Sequence, residues 1–408
     1  MADAPELYTE ISAFEPLLPD HRRNDLAEIT CQILREAGRL EGLLPAVEVR
    51  ERISQLIREM NSYYSNLIEG HKTFPKDIEA ALNEEFSAQP DQRAHQWMAR
   101  AHIEVEKKMV DRLEAEPDLD IHSAGFIQWL HREFYEILPE ELRIGRHKDG
   151  RTFPVTPGEF RNYEVGIGSH QPPFSGAVPR FIERFGDFYR SRRIIATNQL
   201  VALAAAHHRL VWIHPFGDGN GRVARLHTHA WLTRCQVGAF GLWTISRGFA
   251  RNRKEYYRHL SLADSQRRND SDGRGNLSDQ GLAEHCHFFL DTILDQIRFM
   301  GGLLDLSSLS RRIEAHLHVR FSQWKTPERE QVGRLLKSAL VRGQVKRGEV
   351  PGLIGRKATT ASRIIHLAIE SGLAESIGGE RGPLSLVFDS RTLDSYFPAL
   401  YQDLPAGE

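Results

Sequence analysis

Cysteine is scarce in this chain of 408 residues: only Cys31, Cys235 and Cys286 are present, odd in number and far apart. That excludes a disulfide framework, points to a reducing compartment and leaves no metal-ligand spacing. Neither sign of charge dominates. With 53 basic against 55 acidic residues and a formal net charge of −2, the whole chain lacks the footprint of a highly basic nucleic-acid binder or a polyacidic tail. Long apolar runs are missing too. Stretches such as 200–206 fall far short of the ~20 residues a membrane-crossing helix needs, so no membrane partner is expected. The first residues are acidic with no apolar run behind them, so no signal peptide is expected and the location predicted is cytoplasmic. No internal repeat or low-complexity tract stands out.

What is present is helical periodicity. The length implies two or three packed units. Leu26, Ile29, Ile33, Leu34 and Leu40 form one apolar stripe, and Ile53, Leu56, Ile57 and Met60 a second that runs towards Ser65-Asn66-Leu67-Ile68-Glu69-Gly70, where Gly70 would stop the helix. Further helices are predicted over 91–113, 120–136, 177–190, 194–213, 221–235, 254–262 and 282–301. Between 142 and 176, glycine, proline and short β-compatible pieces, Thr152 to Val155 and Tyr163 to Val165, predict a loop region with a small hairpin. From 327 on, three helical patterns precede two strand-like pieces around Gly378-Gly379-Glu380-Arg381-Gly382, a winged-helix-like layout.

The chemistry concentrates at His214-Pro215-Phe216-Gly217-Asp218-Gly219-Asn220-Gly221-Arg222. Two glycines flank an asparagine where one helical pattern pauses and the next begins. Glycine lets successive N–H groups turn round an anion, and the opening N–H groups of the following helix face the same way. Asn220 can donate to a phosphate oxygen, and Arg222 with Arg225 can neutralise a polyphosphate from one helical face. Asp218 supplies the hard oxygen that Mg2+ prefers. His214 is the proton acceptor, having the side chain that titrates near neutrality. Each element alone is ordinary turn or surface chemistry; their compact order points to an activated hydroxyl attacking phosphorus.

From His214 to Arg225 the chain resembles the complete signature of the Fic family, with similarity through 204–210 upstream and 252–257 downstream. The resemblance implies a mainly α fold, a Fic-type helical core with a small β-hairpin flap, and transfer of AMP from ATP to a Ser, Thr or Tyr hydroxyl of a target protein, with pyrophosphate leaving. It implies His214 as base, Phe216 as loop anchor, Asp218 as the Mg2+ ligand, and Gly219, Asn220, Gly221, Arg222 and Arg225 as phosphate-holding residues. Gly221 stands where phosphate-transferring relatives carry Lys. Asn252 and Tyr256 are candidates for the adenine end, and Tyr163, Glu164, Val165, Gly166 and Ile167 for a flap that docks target backbone.

The segment from Ser65 to Gly70 resembles the inhibitory motif of one class of Fic proteins, which implies that Glu69 pairs with Arg225 and takes the room of the γ-phosphate, with Ser65 helping to fix the helix. The expected division is an N-terminal helical region over 1–110 with its inhibitory helix at about 50–70, a catalytic core over 111–300, a linker over 301–326 and a winged-helix-like domain over 327–400. Partners expected are the target protein, the chain itself as acceptor and, through the C-terminal unit, a second copy, another protein or DNA. The competing function class is a nucleotide-responsive DNA- or protein-binding regulator with weak catalysis. Intact His214 and Asp218 favour the enzyme.

Overall fold

The computed structural model describes residues 8–146, 150–168, 170–190, 194 and 198–401. Helix dominates, as the periodicity predicts. From the N-terminus run α1 (Arg23–Glu41), α2 (Val47–Ile68), α3 (Pro75–Leu82), α4 (Pro90–Ala115) and α5 (Ala124–Ile137), then an antiparallel hairpin of β1 (Ile144–Arg146) and β2 (Thr152–Pro154). There follow α6 (Val178–Tyr189), α7 (Gln199–Ile213), α8 (Asn220–Arg234), α9 (Ile245–Arg251), α10 (Arg253–Asp264) and α11 (Asp279–Leu304). The C-terminal part holds α12 (Leu306–Arg320), α13 (Thr326–Arg342), α14 (Val350–Ile354), α15 (Ala358–Glu370), the ribbon of β3 (Ala374–Ser376) and β4 (Leu384–Leu386), and α16 (Leu393–Tyr396). Among the described residues no helix is long and apolar enough to cross a membrane.

Two compact units emerge, and both are discontinuous in sequence. One gathers Met1–Arg35, Asn61–Gly238 and Thr244–Gln296; the other gathers Glu36–Met60, Ala239–Trp243 and Ile297–Glu408. The first is built around α7 and α8. Every residue of α7 from Leu200 to Leu210 is buried, and a helix covered on all sides belongs to the interior. Ala202, Ala204, Ala205 and Ala206 keep its surface small, while α6 packs on α7, and α4 and α5 pack on α8. Ser123 caps α5 by accepting a hydrogen bond from the Phe126 N–H at 3.1 Å.

In the second unit, Val49, Ile53, Leu56 and Ile57 are buried along one stripe of α2. Arg52 pairs with Glu375 and donates to the Leu386 carbonyl at 3.0 Å. Helices α13, α14 and α15 precede the β3–β4 ribbon. On α15, Arg363 is committed to Glu328 and His366 lies 3.1 Å from Glu370.

The domain boundaries differ from those expected. The stretch 301–326, read as a linker, carries α12, whose Leu309, Ile313 and Leu317 are buried at helical spacing; serine and arginine between those leucines hide the stripe in the sequence. The region 1–110 is not one unit, because residues 36–60 belong with the C-terminal part. The predicted helix start at 194 moves to Gln199, and residues 195–197 lie outside the described residues. The small hairpin is at 144–154. Residues 162–168 instead form an extended loop closed by an isolated bridge between Ile167 and His170.

Candidate active site

The loop between α7 and α8 sets the site. Helix α7 ends in His214, which adopts a left-handed conformation at φ 49° and ψ 62° and so turns the chain sharply. Its imidazole is half-buried, and burial together with the Arg161 guanidinium and His170 pushes it down to about 3. At neutral pH the ring is therefore uncharged and able to accept a proton. Arg161 also fixes the backbone here: its Nε donates to the His214 carbonyl at 2.8 Å, and its guanidinium reaches the carbonyls of Tyr163 and Pro173.

Phe216 is fully buried beneath the loop, its ring stacked on His131 with centroids 3.9 Å apart. Asn220 has a different task from the one expected. Its side chain accepts from the Phe216 N–H and donates to the Phe216 carbonyl, both at 2.9 Å, so it clasps the loop closed. Gly219 sits at φ +80°, and a Cβ there would lie 2.9 Å from the Tyr135 ring. Glycine meets both constraints.

Asp218 Oδ2 accepts from the Tyr135 hydroxyl at 2.6 Å and from Arg222 Nη2 at 2.9 Å. Burial works to raise this carboxyl, but Arg222 and Tyr135 outweigh it and hold it below the usual carboxylate range. Asp218 keeps 41% of its side chain accessible. Among the described residues no three His, Cys, Asp or Glu side chains gather as a metal site. A cation beside Asp218 would therefore draw its remaining ligands from phosphate and water, which suits Mg2+ better than a softer metal.

Glu69 reaches the loop from the end of α2. Its Oε1 lies 2.6 Å from Arg225 Nη2 and so close to Gly221 that any Cβ there would collide with it. A carboxylate oxygen thus sits at the opening of α8, where an anion is favoured. Burial works to raise Glu69, yet Arg225 and Arg222 hold it lowered; its side chain remains 30% accessible. Ser65 contributes as well, its Oγ accepting from Arg225 Nε at 2.9 Å and its carbonyl from Nη2 at 3.0 Å. Behind them, Asn61 donates to Glu106 at 2.5 Å and accepts from Thr244 at 2.6 Å, and Ser62 donates to the Ala99 carbonyl at 2.9 Å. At this helix end Asn61, Ser62 and Ser65 are buried and hydrogen-bonded beside the equally buried Tyr64 and Ile68.

A Fic/DOC family model matches residues 122–232, from just before α5 to the last turn of α8. The chain contains a Fic/DOC domain. A protein adenylyltransferase Fic of Drosophila willistoni is 34% identical over 141 residues, covering 35% of this chain and 26% of the relative. Its counterpart in Aedes aegypti is 33% identical over 126 residues, covering 31% and 24%. The matched Fic segment thus spans about a quarter of those relatives' length. In fold, the chain is similar to a Fic family protein from Desulfovibrio desulfuricans G20, with a TM-score of 0.53 at 19% identity over 92% of this chain and 99% of that one.

The Fic domain brings His214, Phe216, Asp218, Gly219, Asn220, Gly221, Arg222 and Arg225 together with Ser65 and Glu69, while Gly70, at φ +92°, ends the helical path that carries them. The adenine-end candidates separate. Asn252 is exposed at the junction of α9 and α10, whereas Tyr256 is buried, with its hydroxyl 2.8 Å from His207 and its ring stacked on Phe249. Its neighbour Tyr257 is 43% exposed and donates to the Ile68 carbonyl at 3.3 Å. In the flap, Glu164, Gly166 and Ile167 are exposed, and Val165 is held by Gln171 through its carbonyl at 3.1 Å. Arg161, His131 and Tyr135 escape the sequence reading. An arginine in a loop, and a histidine and tyrosine four apart on an amphipathic helix, look like ordinary packing.

Proposed function

We propose that this site transfers AMP from ATP to a Ser, Thr or Tyr hydroxyl of a protein, and that Glu69 holds it in a restrained state. The observation that carries this is the Glu69 carboxylate at the opening of α8, bound to Arg225 in the space an acidic phosphate oxygen would take. In the reaction, the acceptor oxygen forms a bond to the α-phosphorus, the bond to the pyrophosphate oxygen breaks, and the acceptor's proton passes to His214. Arg222 and Arg225 meet the distal phosphates, and the α8 N-terminus offsets the charge that develops there. Asp218 would hold Mg2+, which supplies charge neutralisation to the phosphates. The exposed flap around Glu164 to Ile167 offers an extended edge to a target strand irrespective of its side chains.

Labelled AMP should appear on the protein with the Glu69→Gly variant, and adding His214→Ala should abolish it while nucleotide affinity stays within a few-fold. Full transfer by the double variant would remove His214 from its role. A pH profile adds a second check. Because His214 is pushed down to about 3, its neutral form persists as the pH falls, and the rate is lost only as the pH passes through the folded value. Transfer at pH 6 should therefore match that at pH 7.5 in a folded sample. An acid limb centred near 6.5 would contradict the assigned environment.

A further inference from the structure

Asp218 is gripped from α5 at two points. His131 accepts the Gly158 N–H on Nδ1 at 2.9 Å, so its proton sits on Nε2, which donates to the Asp218 carbonyl at 3.2 Å. One turn further on, the Tyr135 hydroxyl donates to the Asp218 carboxylate and accepts from Arg222 Nη2 at 3.2 Å. The Tyr135 ring has no room to swing. It is buried between Gly219 and His131, whose ring lies 4.5 Å away, centroid to centroid.

The two donors to Oδ2 are not equivalent. Arg222 is a buried cation, its guanidinium 4.9 Å from the Phe134 ring centroid, and the distal phosphates would draw on the same charge that it lends to Asp218. The phenol is fixed and neutral. Resting on the AMP-transfer reading, we infer that Tyr135 is a positioning residue: it keeps the Asp218 carboxylate aimed while Arg222 shares its charge with the nucleotide, so that the cation and phosphates meet a preset ligand. Groups that orient a metal ligand from behind typically carry ~10–100-fold in affinity or activity.

The test is Tyr135→Phe in the Glu69→Gly chain, which preserves the ring and removes the donor. ATP binding is measured by calorimetry without metal and across a Mg2+ titration, alongside thermal melting and AMP transfer. The expected result is unchanged metal-free ATP affinity, a Mg2+ requirement raised ~10-fold or more and a transfer rate that recovers in part at saturating Mg2+. In an Asp218→Asn chain, where no carboxylate remains to be aimed, Tyr135→Phe should add nothing further. An unchanged Mg2+ requirement, with the parent transferring AMP normally, overturns the role of Tyr135 and leaves the reaction standing. A shifted Mg2+ requirement in a parent that transfers no AMP overturns the reaction and leaves the positioning role standing. A fall in metal-free affinity equal to the fall with Mg2+ would mark Tyr135 as part of the packing alone.

Discussion

Glu69→Gly should modify itself with AMP roughly 100-fold faster than the wild type, although the residue lies far in sequence from every group assigned to the reaction. Glu69 occupies one arm of Arg225 at 2.6 Å and the space above Gly221. On the proposed reading a carboxylate and a γ-phosphate compete for that guanidinium, and while Glu69 is in place ATP would be held with its α-phosphorus out of line. Transfer at phosphorus depends chiefly on positioning and charge. In helix propensity the substitution is mild: Glu69 follows Ile68, the last residue of α2, so glycine there costs at most ~1 kcal/mol. A second effect should accompany activation. Arg225 is buried and keeps only Ser65 among its two α2 partners, so the nucleotide-free variant should melt lower than the wild type and regain more on adding ATP. A well-folded Glu69→Gly protein that binds ATP and stays as quiet as the wild type would sink restraint by Glu69.

Acidification should destabilise this protein well before its carboxylates titrate. His102, His122 and His131 are each pushed down to about 3, chiefly by burial, and His207, His227 and His285 lie well below the ordinary value for the same reason. In the unfolded chain each takes up a proton near pH 6.5. The unfolded state therefore binds more protons than the folded one below that pH, and stability falls as the pH falls. The contribution is complete above about 6.5 and is lost progressively down to the folded values. Each such histidine contributes a slope of up to about 1.4 kcal/mol per pH unit, so a few of them at pH 5 consume a large part of the ~5–15 kcal/mol typical of a domain. Glu69 and Asp218, whose values are also lowered, act in the same direction only below about pH 4. Denaturant melts at pH 7.5, 6.5 and 5.5 should show a steepening loss; equal stability at all three would contradict neutral burial of these rings. Activity lost near pH 5 is then expected from unfolding, with His214 still unprotonated in the molecules that remain folded.

The loop was legible because a histidine, a carboxylate, glycines and arginines follow one another in a compact order that plain packing seldom produces, whereas Glu69, an ordinary helix-end carboxylate by residue type, was legible only through the resemblance of its segment to an inhibitory motif. The tasks within the loop were less so. Asn220 carries the same amide whether it meets phosphate or clasps Phe216, and direction is decided by the backbone of the turn. Tyr256 and Tyr257 are adjacent on α10, and only packing determines which faces inward. Tyr135 and His131 lie four apart on a helix that needs an inward face in any case. The grouping of 36–60 with the C-terminal part was invisible because α2 is a single uninterrupted helix and gives no linker signal.

The buried hydrogen bonds at the end of α2 also bear on how a release of Glu69 would happen. Greasy surfaces can slide by fractions of a side chain at little cost, whereas Asn61, Ser62 and Ser65 each require a partner at one distance and one angle. A one-residue slip turns the helix by ~100° and would break these bonds together. On the proposed reading the contact would work as a detent, with Glu69 either seated or withdrawn. Partial stimulation of a population should then mean a mixture of fully restrained and fully released molecules, and no molecules running at half speed.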